Sequence, residues 1–219
     1  MASTIPLMAN ILTKYMQLDF VEGILSLAPV EVASKTLHIF SNSCPNKKEA
    51  IGWFDECMLC YSNCNIFGRM QDTPEFFLLN IDNASAPVDQ FNQDRTLLDS
   101  LKGRAASGGS QRKFALGNAT EPNFKMLHAL VQCTPDLSEH DCSECLFEAI
   151  GKIPDCCEGK LGERVVGPSC SLDFEIYIFY NVTANINAPP LLPPPSPQPM
   201  PRVSLSPSFI YNQYYCFKM

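Results

Sequence analysis

Apolar residues between positions 142 and 153 recur at the spacing of one face of an α-helix. The stripe consists of Cys142, Cys145, Leu146, Ala149, Ile150 and Ile153. Such a stripe predicts a helix that packs against a core. Ser138, followed by Asp141 three residues later, has the arrangement of an N-terminal capping box. Pro154 is expected to end this helix, because proline cannot continue the backbone hydrogen bonding.

Beyond this helix the pattern changes to alternation. Gly162 to Val166 and Cys170 to Tyr180 are predicted to form two strands around the turn at 167–169. The residues predicted to share one face of the second strand are Leu172, Phe174, Ile176, Ile178 and Tyr180. A helix packed on an antiparallel sheet is an α+β fold.

The first half of the chain is less regular. Residues 30–40 are predicted to be helical, and residues 44–63 to form the end of a helix followed by two short strands. A second clear helix is predicted from Val88 to Arg104, and Gly103 with the pair Gly108-Gly109 is expected to end it. The apolar residues at near-helical spacing are Val88, Phe91, Leu97, Leu98 and Leu101.

Cysteine is the most informative residue type in the composition, with 11 in the chain. Six fall between positions 133 and 170: Cys133, Cys142, Cys145, Cys156, Cys157 and Cys170. Such density favours disulfides in an oxidising compartment. A zinc site at Cys142-x2-Cys145 with His140 is the alternative, but it would need a second pair at similar spacing, and Cys156 and Cys157 are adjacent.

The net charge and the absence of common motifs exclude several classes of function. The formal net charge of −7 argues against nucleic acid as a partner, because nucleic acids reward clustered Lys and Arg. Glycine-rich phosphate loops and the common hydrolase motifs are absent from the sequence, so we expect no enzyme activity, no cofactor and no metal. Three glycosylation sequons, at Asn83, Asn118 and Asn181, are typical of an exported protein.

The N-terminus does not show a matching export signal. Residues 1–12 contain no basic leader, and Asn10 interrupts their apolar stretch. No apolar run reaches the roughly 18 residues of a membrane span. We therefore expect a secreted protein whose sequence here is a fragment or a misassembled gene product that lacks its true 5′ end.

Several motifs carry a family resemblance. They lie at residues 114–117, 131–138, 141–146 and 162–170, with a second set at 44–50 and 53–63. These segments resemble the ginkbilobin-like domain, also called domain of unknown function 26 or the stress-antifungal domain. This domain occurs in plant cysteine-rich receptor-like kinases and cysteine-rich repeat secretory proteins, and the resemblance covers about residues 30–181.

The resemblance implies tandem domains, of which the first is incomplete. The expected organisation is an irregular N-terminus (1–29), a partial first domain (30–68), a complete second domain (73–181) and a proline-rich stalk and tail (182–219). Proline-rich segments favour extended polyproline II structure. The cysteine pattern makes the apoplast the expected location, and relatives of this kind are often anchored in the plasma membrane.

The resemblance also implies disulfides from Cys133 to Cys142 and from Cys145 to Cys170. The family partner of Cys157 is missing, so Cys156 and Cys157 could bond each other, bond another chain, or stay reduced. The family partners of Cys44 and Cys57 are missing as well. Cys60 and Cys64 are expected on one strand about 13 Å apart, too far for a disulfide between them.

Sugar binding is the function that the resemblance suggests. Ginkbilobin binds mannose through an asparagine, an arginine and a glutamate, and the last two correspond here to Arg164 and Glu175. A guanidinium and a carboxylate can donate to and accept from neighbouring sugar hydroxyls. The structural alternative is an exposed cross-strand ion pair between them. In the first domain the matching positions hold Ile51 and Ser62, so no such site is expected there.

The favoured hypothesis is an extracellular recognition module in defence or stress signalling, whose partners are a mannose-type glycan or a receptor ectodomain. A secreted antifungal lectin and a nonfunctional truncated product are the alternatives.

Overall fold

The computed structural model describes residues 16–20, 42–45, 47–53, 57–83, 87–109, 113–120, 126–157, 159–180 and 213–216. The strands are β1 (Met16–Phe20), β2 (Ala50–Trp53), β3 (Cys57–Tyr61), β4 (Phe76–Leu79), β5 (Phe114–Thr120), β6 (Met126–Cys133), β7 (Glu163–Val166), β8 (Cys170–Glu175) and β9 (Gln213–Cys216). The two long helices are α1 (Pro87–Ala106) and α2 (Glu139–Cys157).

These strands form two antiparallel sheets. The first sheet has the order β1-β3-β2-β9, and the second has the order β4-β7-β8-β6-β5. Helices α1 and α2 pack against the second sheet and against each other. The predicted α+β class is therefore confirmed.

The main core lies between the two helices and the second sheet. Its fully buried side chains include Leu98 and Leu101 of α1, Leu146 and Ile150 of α2, and Leu172 and Phe174 of β8. Each buried side chain of this size contributes about 1.5–3 kcal/mol of hydrophobic stabilisation. The stripe predicted for α2 is confirmed, because all six of its residues are buried.

Helix α2 begins as predicted but ends later. The Asp141 backbone N–H donates to Ser138 Oγ at 3.0 Å, and this hydroxyl donates to Asp141 Oδ2 at 2.8 Å. The prediction that Pro154 ends the helix is wrong, because α2 continues to Cys157. Proline removes one hydrogen bond, to the carbonyl four residues back. Its exposed position near the helix end limits the loss.

Helix α1 also continues past its predicted end. Gly103 lies inside the helix, which ends at Ala106. A glycine within a helix costs about 1 kcal/mol relative to alanine, which is not enough to end a packed helix. The end is instead marked by the buried Lys113, whose Nζ donates to the Ala106 carbonyl at 2.8 Å.

Strand β8 is shorter than predicted. It ends at Glu175, and Ile178 is 56% exposed. Tyr180 packs with Leu116 and Leu130 in a cluster separate from the main core. The Tyr180 hydroxyl donates to the Gly117 carbonyl at 3.3 Å. Of the predicted alternating set, Leu172 and Phe174 belong to the core under the helices.

The two sheets meet through the side of β4 and β7. Trp53 stacks edge-on against Phe76, with ring centroids 5.1 Å apart. The Trp53 Nε1–H donates to the Gly167 carbonyl at 3.2 Å. Ile51, Met58 and Val166 complete this apolar cluster. Burial of this cluster therefore joins the two sheets.

The structure differs from three predictions, two for the chain ends and one for Cys64. Residues 16–20 were expected to be irregular and residues 213–216 to belong to a tail, yet β1 and β9 are the outer strands of the first sheet. Cys64 lies beyond the end of β3 in an exposed bend, not on the strand. Neither Cys60 nor Cys64 is in a disulfide. The helix predicted at 30–40 and the residues 182–212 lie outside the described part of the chain.

Four disulfides hold the described residues. Cys133 is bonded to Cys142 and Cys145 to Cys170, with Cα–Cα distances of 5.8 and 6.1 Å. The first bond joins the end of β6 to the start of α2, and the second joins α2 to the start of β8. The other two bonds join Cys156 to Cys157 and Cys44 to Cys216.

We predict that the two bonds of α2 differ in their contribution to stability. Replacing Cys145 and Cys170 by alanine opens a loop with a sequence separation of 25, whereas Cys133 and Cys142 are separated by 9. Chain-entropy arguments give losses of about 3–4 and about 2–3 kcal/mol, respectively. Urea unfolding of the two double variants measures both values. Equal losses, or a larger loss for Cys133 and Cys142, would contradict the prediction.

Candidate functional site

A polar cleft opens on the side of the second sheet that faces away from the helices. The pleat of β8 directs Leu172 and Phe174 into the core and therefore turns Asp173 and Glu175 to the opposite face. The cleft is open to solvent and is lined by Leu78, Glu163, Arg164, Asp173, Glu175, Tyr177 and Phe179. We call this group the polar cleft.

Arg164 is held by the acidic residue directly across the sheet. Arg164 and Asp173 occupy paired positions of β7 and β8, and the Arg164 Nε and Nη2 atoms both contact Asp173 Oδ2. Their side chains are 18% and 10% exposed. This pair fixes the guanidinium plane, so its direction within the cleft is set before any ligand arrives.

Glu175 is more deeply buried, with 3% of its surface exposed. Asn80, directly after β4, donates from Nδ2 to Glu175 Oε2 at 2.8 Å. The backbone makes room for this carboxylate at Gly162, because a Cβ atom at that position would overlap it. The sequence therefore needs glycine at 162 for Glu175 to fold inward.

Burial controls the protonation of both acids in the cleft. Loss of solvent raises the pKa of Glu175 above its usual value; the Asn80 hydrogen bond opposes this rise, and the charge of Asp173 adds to it. Burial also raises the pKa of Asp173, although Arg164 opposes that rise. Loss of solvent is therefore the main influence on the pKa of both carboxyl groups.

The structure places the two residues suggested by the resemblance in one cleft, at diagonal positions on neighbouring strands. The structural alternative was an exposed ion pair between Arg164 and Glu175. Instead, Arg164 pairs with Asp173, which stands opposite it, and Glu175 is buried. Sequence reasoning missed Asp173 and Asn80. The alternation of β8 could have found Asp173, since it shares a face with Glu175. No local sequence pattern indicated that Asn80 would contact Glu175.

The matching positions of the first sheet contain no such charged pair. Ile51 is buried against the second sheet, and the buried Ser62 donates to Glu49 Oε2 at 3.1 Å. Cys60 stands opposite Ile51, as Asp173 stands opposite Arg164.

Metal binding at the cysteines would require broken disulfides. Cys142 and Cys145 are bonded to different partners, so neither sulfur can act as a thiolate ligand of zinc in this state. Ligand-type atoms of Cys156, Cys157 and Glu163 lie within 4.8 Å of one another. Both of these sulfurs, however, belong to the Cys156–Cys157 disulfide.

Two of the three predicted glycosylation sites are accessible. Asn118 lies exposed on β5, the outer strand of the second sheet, and Asn83 is exposed beyond β4. Lys160 Nζ donates to Asn83 Oδ1 at 2.9 Å. Asn181 lies outside the described residues.

Helices suited to crossing a membrane, both long and apolar enough, are not found among the described residues.

Comparisons with known proteins identify relatives. Residues 80–177 match the sequence model of the family described as salt stress response/antifungal. Cysteine-rich receptor-like protein kinase 25 of Arabidopsis thaliana is 45% identical over 155 residues, which are 70% of this chain and 22% of that protein. An antimicrobial ginkbilobin-2-like protein of Castanea crenata is 39% identical over 138 residues, which cover 63% of this chain and 56% of that protein.

A solved structure has the same fold. It is the tandem DUF26 ectodomain of the cysteine-rich receptor-like protein PDLP8 of Arabidopsis thaliana, with a TM-score of 0.56, 20% identity and coverage of 69% of each chain. The chain thus spans about a fifth of the kinase relative and about half of the antimicrobial one.

We predict that Gly162→Ala destabilises the protein by about 1–3 kcal/mol, because the new methyl group must displace the Glu175 carboxylate. Gly151→Ala is the matched control. Gly151 is exposed within α2 and a Cβ there meets no atom within 4 Å, so this change should stabilise by about 0.5–1 kcal/mol. Thermal unfolding of both variants gives the comparison. A neutral Gly162→Ala would contradict the packing of Glu175 described above.

We also predict that Glu175 makes the stability depend on pH. Because its folded-state pKa is raised, the folded state holds the proton more tightly than the unfolded chain. The stabilisation is complete below the unfolded value of 4.5 and is lost as pH rises through the folded pKa. Glu175→Gln should therefore reduce the fall in unfolding free energy between acidic and neutral pH.

Urea unfolding at several pH values measures this effect, and Glu144→Gln, at an exposed position of α2, serves as the control. An unchanged slope in Glu175→Gln would show that the carboxyl titrates normally.

Proposed function

We propose, from the match of residues 80–177 to the salt stress response/antifungal family model, that the chain is a non-enzymatic extracellular recognition module. Its ligand in this proposal is a neutral, mannose-type glycan bound in the polar cleft. The observation that carries the proposal is the convergence of Arg164, Asp173, Glu175 and Asn80 on one side of the second sheet.

The cleft offers the groups that sugar recognition needs. A guanidinium supplies donors in a fixed plane, and carboxyl groups accept from neighbouring hydroxyls. Tyr177 and Phe179 line the same cleft and provide aromatic faces for the apolar side of a sugar ring. Polar groups that fix orientation beside apolar walls are typical of small-ligand sites.

The charge balance of the cleft selects against acidic sugars. The carboxyl groups of Asp173 and Glu175 and the guanidinium of Arg164 face it, so a uronate or sulfated sugar would meet like charge. A neutral glycan avoids that repulsion. Its hydroxyls can also donate to the carboxylate oxygens.

The wider role in this proposal is defence or stress signalling outside the cell. The similarity to a receptor-like kinase supports a partner among receptor ectodomains, and the disulfides and accessible sequons support an extracellular location. The second candidate is a secreted antifungal lectin. The similarity to a protein named as antimicrobial favours that alternative.

We predict that Arg164→Ala lowers affinity for mannose oligosaccharides at least about tenfold, because each hydrogen bond to a charged group contributes about 1.5–3 kcal/mol. Arg164→Lys keeps the charge but loses the planar fork, and it should also weaken binding. Arg95→Ala, on the exposed surface of α1, is the control. Isothermal titration calorimetry measures the three affinities.

Near-UV circular dichroism establishes that each variant is folded. Unchanged mannose affinity in folded Arg164→Ala and Arg164→Lys would contradict binding at the polar cleft. Fungal growth inhibition by the wild-type protein alone would favour the lectin alternative.

A further inference from the structure

The four strands of the first sheet correspond to four strands of the second sheet. For three of these pairs the two strands are separated by the same number of residues. The interval from Phe20 to Cys133 equals that from Cys44 to Cys157 and that from Cys57 to Cys170. Strand β2 begins six residues after Cys44, and β7 begins six residues after Cys157. These intervals make β2 and β3 the counterparts of β7 and β8.

The strand registers repeat as well. Phe20 stands opposite Cys57 in the first sheet, as Cys133 stands opposite Cys170 in the second. Strand β1 is therefore the counterpart of β6. The chain order β1, β2, β3 also matches the order β6, β7, β8.

Strand β9 departs from this order. Tyr215 stands opposite Ile51, and Leu78 stands opposite Arg164 at the matching position. Strand β9 thus occupies in the first sheet the place that β4 occupies in the second, with the same direction and register. Yet β4 precedes β7 in the chain, whereas β9 follows β2 by more than 150 residues.

A disulfide fixes β9 in this place. Cys44, which is fully buried, is bonded to Cys216, with a Cα–Cα distance of 5.5 Å. In the second sheet the position of Cys216 is taken by Leu79, which has no thiol. Cys157, the counterpart of Cys44, is bonded to its neighbour Cys156 instead.

Strand β2 needs a neighbour on this side. All four of its residues are buried, and a buried strand without a partner would leave backbone N–H and C=O groups without hydrogen bonds. An unpaired strand edge also invites pairing with other chains. Strand β9 removes both problems.

We propose that residues 213–216 are a donor strand, supplied from the C-terminal end of this chain, which completes the first domain and is locked there through Cys44 and Cys216. The edge of β2 with Cys44 is accordingly an interaction surface. It fits an extended segment that carries one cysteine at the position opposite Ala50. Addition of a strand from elsewhere to a sheet edge is an established mode of recognition.

The donor comes from the same molecule. The 31 residues from 182 to 212 would reach about 96 Å if fully extended as polyproline II, so their length does not prevent the return. A tethered strand has a millimolar effective concentration, which exceeds that of a second copy at micromolar protein. Residues 182–212 are then the covalent tether of the strand.

The first test is disulfide mapping of the full chain from an oxidising secretory host. A mixture of ¹⁴N- and ¹⁵N-labelled chains is co-expressed or refolded together, then digested without reduction. We expect a peptide that links Cys44 to Cys216 with both halves carrying the same isotope. A Cys216 recovered as a thiol, or bonded elsewhere, would overturn the proposal, and mixed-isotope pairs would overturn its intrachain form.

The second test is amide hydrogen exchange of residues 51–53 in the full chain. Cys216→Ser should increase their exchange about tenfold, and Tyr215→Pro, which disrupts the pairing of β9 with β2, should have at least the same effect. Cys64→Ser, at an exposed cysteine outside any disulfide, is the matched control and should change nothing. Exchange unaffected in both Cys216→Ser and Tyr215→Pro would overturn the proposal.

Discussion

Strand β8 is the element on which the rest of the structure depends, because both of its faces are buried. Leu172 and Phe174 fill the core under the helices, while Asp173 and Glu175 form the base of the polar cleft. Its neighbours β6 and β7 hold it on either side, and the Cys145–Cys170 bond ties its first residue to α2. A shift of one residue would exchange the two faces and place carboxylates in the core. Core packing therefore fixes the geometry of the cleft.

The two sheets use one backbone framework for different purposes. In the second sheet the paired positions of the central hairpin hold Arg164 and Asp173; in the first they hold Ile51 and Cys60. Charged groups keep one hairpin face open as a cleft. Apolar groups close the other against Phe76 and the neighbouring strands. Equivalent positions of the two hairpins thus form the contact between the sheets in one case and the candidate site in the other.

The cysteines show how a missing partner changes a local structure. Cys44 and Cys157 occupy equivalent places before equivalent strands, but only the first has a cysteine on the adjoining strand. The second is bonded to the residue beside it. Two differences, Leu79 in the place of Cys216 and Cys156 in the place of Ser43, therefore account for the two different bonds.

The sequence alone determined the features that depend on near neighbours. The cap at Ser138, the buried stripe of α2 and the inward positions of Leu172 and Phe174 all follow from spacings of a few residues. Family resemblance pointed to Arg164 and Glu175. The tertiary structure decided that Arg164 pairs with Asp173, that Asn80 holds Glu175, that α2 continues past Pro154, and that β9 returns to β2. These outcomes depend on strand register and on packing between residues far apart in the chain. No local pattern encodes such contacts, because they stabilise the fold only after the distant segments have come together.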